Sequence, residues 1–206
     1  MTLSAAVILL LFGMDAPARP AINARSTPSR PGLSWEEADS LSRKLATIEE
    51  RHKQPAKSRR SQTVQVTQGE LNSYLNLSYA SELPKGLSDV EIRLGHERIE
   101  AKVFVDVDQV RGKVAAPSWS PIAMLGGQVP IELSGKLVNE DGFGTIELES
   151  AYVANIRVPI SVVEQMVASS TKSEKNPDGF DIHAPFRLPY SVNRVRIEPG
   201  RATLEF

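Results

Sequence analysis

Leu87-Ser-Asp-Val-Glu-Ile-Arg-Leu-Gly-His-Glu-Arg-Ile-Glu-Ala-Lys-Val-Phe-Val-Asp-Val107 decides the fold. Val90, Ile92 and Leu94 alternate with Glu91 and Arg93, then Ile99, Ala101, Val103, Val105 and Val107 alternate with Glu100, Lys102 and Asp106. Successive strand side chains point to opposite sides, so each arm has one apolar and one wet face. Gly95 supplies the turn, where positive φ costs little. The stretch predicts a long antiparallel hairpin.

The same pattern recurs downstream. Val129, Ile131, Leu133, Gly135 and Leu137 alternate with Glu132, Ser134 and Lys136. Asn139-Glu-Asp-Gly142 turns the chain, and Ile146 and Leu148 then alternate with Thr145, Glu147 and Glu149. From 150 to 160 the alternation lapses, which predicts a bulge or cover on both faces. A third hairpin places Val195 and Ile197 before a Pro199-Gly200 turn and Ala202, Leu204 and Phe206 after it.

Three helices punctuate the hairpins, each announced by capping-box spacing. Ser34 and Glu37 open residues 34–52, with Trp35, Ala38, Leu41, Leu45 and Ile48 along one stripe. Thr67 and Glu70 open a shorter helix carrying Leu71, Tyr74, Leu75 and Tyr79, which Pro84 and Gly86 end. Ser161 and Glu164 open a third with Val162, Val163, Met166 and Val167. The expected class is α+β: a curved antiparallel sheet of three hairpins packed on two or three helices.

With 206 residues, 41% hydrophobic and 24% charged, the chain suits one globular domain with extensions. A formal charge of −1 gives it no overall attraction to nucleic acid. The absence of cysteine excludes disulfides, thiol nucleophiles and thiolate metal sites. Residues 5–13 are apolar but shorter than the about 20 needed to span a bilayer. With Ala16-Pro-Ala18 they predict a signal peptide or N-terminal anchor over 1–18, and export to the periplasm or cell envelope, although residues 1–4 lack a Lys or Arg. Cleavage there puts the mature start near Arg19. Residues 19–33, rich in Pro, Ser and Arg, read as a disordered spacer, 34–60 as an amphipathic helix and basic linker, and 61–206 as the main domain. In the basic run, Arg51, Lys53, Lys57, Arg59 and Arg60 suit an anionic membrane surface or a solvated linker.

Few residues carry chemistry. His52, His96 and His183 lack a second histidine at metal-ligand spacing. Asp106 and Asp108, like Glu147 and Glu149, sit on the wet side of strands, where charge keeps a sheet face hydrated or a cation could bind. No nucleophile elbow, phosphate loop or dinucleotide fingerprint occurs. The expectation is a protein without catalytic residues, metal or cofactor. Asn76-Leu-Ser78 is a glycosylation sequon inside a predicted helix.

Val66-Thr-Gln-Gly-Glu-Leu-Asn-Ser-Tyr-Leu75, followed by the 87–101 hairpin, resembles bacterial envelope proteins of the LmeA-like and YpmS-like type. Gln128-Val-Pro-Ile-Glu-Leu-Ser-Gly135 and Leu188-Pro-Tyr-Ser-Val-Asn-Arg-Val-Arg-Ile197 extend the likeness over about residues 62–206. The resemblance implies a fold related to tubular lipid-binding (TULIP-like) domains, in which a curved sheet wraps a helix around an apolar groove. It brings no catalytic residues. On this reading a lipid or other apolar ligand lies against Tyr74, Tyr79, Val103, Val105, Met124, Leu125, Leu133, Met166 and Phe186; on the plainer one these side chains fill a core. Met124 and Leu125 belong to an apolar connection over 117–127, suited to a lid or to a loop tucked inside. An envelope scaffold binding protein through a sheet edge is the alternative function.

Overall fold

The computed structural model describes residues 31–55, 61–83, 85–110, 126–171, 177–179 and 181–206, the side chains of 110, 166 and 169–171 excepted. The fold is α+β with antiparallel sheets that do not close into a barrel. Helix α1 (Trp35–Lys53) precedes β1 (Thr63–Thr67) and α2 (Gln68–Ser73), which continues as a π-helical turn, Tyr74–Ser78. The central hairpin is β2 (Leu87–Leu94) and β3 (Ile99–Asp106), followed by a short α3 (Val107–Val110). Strands β4 (Gln128–Glu140), β5 (Phe143–Val153) and β6 (Ile156–Arg157) lead to α4 (Ile160–Thr171). The chain ends with β7 (Phe186–Arg187), β8 (Arg194–Glu198) and β9 (Arg201–Glu205).

All three expected hairpins form, but they are shared between two sheets. The larger runs β2-β3-β4-β5-β6, with β7 beside β5, and the smaller runs β1-β9-β8. The third hairpin leaves the main sheet because β9 takes β1 as its neighbour, Val64 opposite Leu204. Asn139 holds the sheets together: its amide accepts from the Val195 N–H at 2.7 Å and donates to the Val195 carbonyl at 2.8 Å.

Turn chemistry explains the registers. Asp141 and Gly142 both have positive φ, the geometry a two-residue hairpin loop requires, and Ala154-Asn155 repeats it between β5 and β6. Gly200 is likewise at φ 76. Gly95 is not: its N–H donates to Arg98 O at 2.9 Å, and the left-handed residue is Glu97, at φ 54. The four-residue loop moves the strained position two places along, so the expectation for Gly95 is corrected. A bulge between Ser134 and Gly135 leaves Glu149 as an extra residue on β5. Gly135 is required there, because a Cβ would come within 2.5 Å of Glu147 O.

The helix caps also differ in detail. Thr67 and Glu70 form the full reciprocal box. At α1, Ser34 accepts from Glu36 N, and Ser73 Oγ stands between the other two partners, accepting from Ser34 N at 3.0 Å and donating to Glu37 at 2.9 Å. Ser161 caps nothing: α4 starts one residue earlier, the Pro159 carbonyl accepts its first bonds, and Glu164 turns to His183.

Candidate functional site

The inward face of the large sheet carries Val90, Ile92, Leu94, Ala101, Val103, Val105, Val129, Ile131, Leu133, Leu137, Ile146, Leu148, Ala151 and Val153. Two clusters cover its ends. The first gathers α1, α2 and the small sheet over β2, β3, Leu137 and Ile146, around Leu41, Ile48, Leu75, Ile92 and Leu188. The second places Val163 and Val167 of α4, with Val158 and Ile182, over Val129, Ala151 and Val153. Ile131 and Leu148 touch both clusters, and with Leu133 they remain half-buried between them. At about 3.3 Å per residue, the 13 residues of β4 reach about 40 Å, longer than the short α2 and α4 can roof.

The lipid-site residues distribute across this face. Tyr74, Val103 and Val105 are buried in the first cluster; Tyr79 and Phe186 are half-buried against it. Leu133 flanks the second cluster. Met124 and Leu125, and the side chain of Met166, lie outside the described residues. Tyr74 and Tyr79 stack with ring centroids 6.0 Å apart. Burial, and then the neighbouring Tyr79 and Tyr190, push the Tyr74 hydroxyl up to about 12.

Sequence reading missed how the sheet edge is closed. Gln68, Asn72 and Asn76 face β2 at four-residue intervals. Asn72 accepts from Ile92 N at 2.7 Å and donates to Ile92 O at 2.9 Å. Asn76 does the same with Val90 at 3.0 and 2.6 Å, and Gln68 accepts from Leu94 N at 2.9 Å. Three amides thus replace a neighbouring strand. An α-helix overshoots by about 40° at every fourth residue; the wider π turn at Tyr74–Ser78 brings Asn76 back into line. The ladder also occupies the sequon asparagine. The signal was present as three amides at i, i+4 and i+8.

Two other edges are met at single points. Lys44 donates to Gln65 O on β1 and pairs with Glu70, and Glu97 N donates to Ile197 O on β8. Burial raises the Glu70 carboxyl, but hydrogen bonds from Lys44, Ser40 and Thr67 and the Lys44 charge outweigh it, holding the group below its ordinary value. Along β2, where the amides take the backbone groups, a foreign strand has little to join.

Three of the four candidate carboxylates have structural partners, and Glu147 is exposed. Asp106 accepts from Asp108 N and Gln109 N and caps α3, and Asp108 accepts from Gly127 N at 2.9 Å. The bulged Glu149 meets Arg98 at 2.6 Å and Lys136 at 3.5 Å. The Arg98 approach to its buried Oε2 has ion-pair rather than hydrogen-bond geometry. This outward face holds a cleft of about 350 Å³ lined by Arg98, Glu100, Lys102, Glu132, Ser134 and Tyr152 among others. Its acids and bases are equal in number, as cross-strand pairs such as Lys102–Glu132 require. Among the described residues no three His, Asp or Glu side chains converge as a metal site.

The basic run is described only in part. Arg51 lies over the Phe206 ring at 4.8 Å and Lys53 pairs with Glu49 at 2.8 Å, while Lys57, Arg59 and Arg60 are outside the described residues. His52 contacts Ser191 and Tyr190, and His183 pairs with Glu164. Among the described residues no helix is long and apolar enough to cross a membrane. No family model and no curated protein matches the sequence.

Proposed function

We propose that the protein binds a lipid acyl chain, or a ligand of equal apolarity, along the inward face of the large sheet, as a non-catalytic component of the cell envelope. The carrying observation is the half-buried stretch Ile131, Leu133 and Leu148, which joins two buried clusters without belonging fully to either. An acyl chain laid there gains about 0.8 kcal/mol per buried methylene. The amide-covered edge of β2 counts against a scaffold that adds a partner strand there. The envelope location rests on the apolar N-terminal segment and its small-residue site.

Native mass spectrometry of protein purified from membranes tests the reading. The expected spectrum contains a lipid adduct, and Leu133→Asp removes it while leaving thermal unfolding nearly unchanged. Adduct-free protein from lipid-rich extracts overturns the proposal.

A further inference from the structure

The tip of the β4–β5 hairpin and a cleft just behind it have opposite characters. At the tip, Glu140 and Asp141 adjoin Phe143, which is 48% exposed and carries the Arg187 guanidinium 5.7 Å from its ring centre. Neither acid forms an ion pair among the described residues. A few residues down the same hairpin, a cleft of about 410 Å³ opens where the two sheets diverge. Lys136, Arg194 and Arg196 line it, with Glu97 as its one acid, and the 51% exposed Val138 forms an apolar shelf. Arg196 already holds Glu205 at 2.8 Å and Lys136 holds Glu149 loosely at 3.5 Å, but Arg194 has no partner among the described residues.

We propose that the occupant of this cleft is the hairpin tip of a second copy of the chain. Phe143 would lie on Val138, and Glu140 and Asp141 would meet Arg194 and the rim of Arg196 and Lys136. Tip and cleft are two residues apart on one strand, Glu140 and Val138. A two-fold axis beside the hairpin therefore seats both tips in both clefts at once, the self-complementary arrangement of a closed dimer. Exposed apolar side chains bordered by charge are the composition of such a surface. A tip in a cleft buries less than the usual about 1,600 Å², so the dimer belongs to the weak class, with dissociation constants on the order of 10 μM.

Sedimentation velocity of the full chain over a concentration series reads the equilibrium. Mass is expected to rise from 22.6 kDa toward twice that value. Glu140→Arg and Arg194→Glu should each weaken association at least tenfold, and an equimolar mixture of the two should recover dimer, because both tip–cleft contacts of the mixed pair then join opposite charges. Phe143→Ser should weaken it without charge change. Circular dichroism of each variant checks that these exposed changes leave the fold intact. A wild-type chain that stays monomeric at the highest concentrations, a dimer indifferent to both swaps, or growth past the dimer overturns the proposal.

Discussion

The two ends of the large sheet's inward face are built from the same kinds of residue but finished differently. Over β2 and β3, two helices and a second sheet press on Leu75, Val90 and Ile92, and even the backbone edge is met by Gln68, Asn72 and Asn76. Over Val129, Ala151 and Val153, one helix and Ile182 provide the cover, and β6 is two residues long. Close packing on every side makes a rigid end. The other end has fewer layers and more surface near solvent. Stability should concentrate in the first and adaptability to a ligand in the second.

The sharpest way to break this contrast is to truncate the centre of the first end. Leu75 is fully buried between α1, α2 and the sheet. Leu75→Ala should cost about 3–5 kcal/mol in equilibrium denaturation, since the surrounding elements cannot all collapse into the space. A cost near 1 kcal/mol would mean that the first end is no tighter than the second.

The amide ladder comes next. Asn72→Ala strands the N–H and carbonyl of Ile92, both away from water, and should cost about 2–3 kcal/mol. Amide exchange at Ile92 should accelerate as well. Substituting Asn139, which pairs with Val195 between the sheets, gives the matching measurement for the joint. An Asn72→Ala variant as stable as the wild type would show that the edge is closed by packing alone.

Alkali offers a probe of the first end without substitution. Tyr74 ionises near 10 when unfolded and near 12 when folded. A folded-state pKa above the unfolded one contributes stability that is complete below pH 10 and is lost as pH climbs from 10 to 12. The loss should approach about 2–3 kcal/mol, and Tyr74→Phe should remove that part of the pH dependence. Glu70 acts in the opposite direction: its folded value is depressed, so its contribution is present above the unfolded carboxylate range and fades as pH falls through the folded value.

Local pattern made much of this legible. Period-two alternation located the strands of all three hairpins, and helical stripes located α1 and α2. The inward set Val103, Val105 and Leu133 follows from the same alternation. The partition into two sheets was not legible, because β1 and β9 meet only through a contact between the two ends of the domain. Nor was the ladder: polar residues at helical spacing look like a wet face unless the strand edge beside them is known. Strand alternation and helical stripes assign an inward side chain without saying whether protein or ligand covers it, so Tyr74 and Val105, now in a packed cluster, were indistinguishable from Leu133.

The smallest effect separates the ends most directly. Val105 and Val167 are nearly equal in burial, at 2% and 1% exposed, so Val→Ala deletes the same atoms from each cluster. Transfer of the lost methyl groups is therefore common to both, and any difference comes from how the remaining side chains relax. Val105 is fixed in register between Leu87 and Val129 in the middle of a strand ladder, and the vacancy should persist. Around Val167 the flanking Leu133, Leu148 and Val162 are only half-buried and can move in. Val105→Ala should thus cost about 1 kcal/mol more than Val167→Ala in paired denaturation curves. Equal costs would show that the second end is as rigid as the first. The face beside Leu133 would then have no spare room to reshape around an acyl chain.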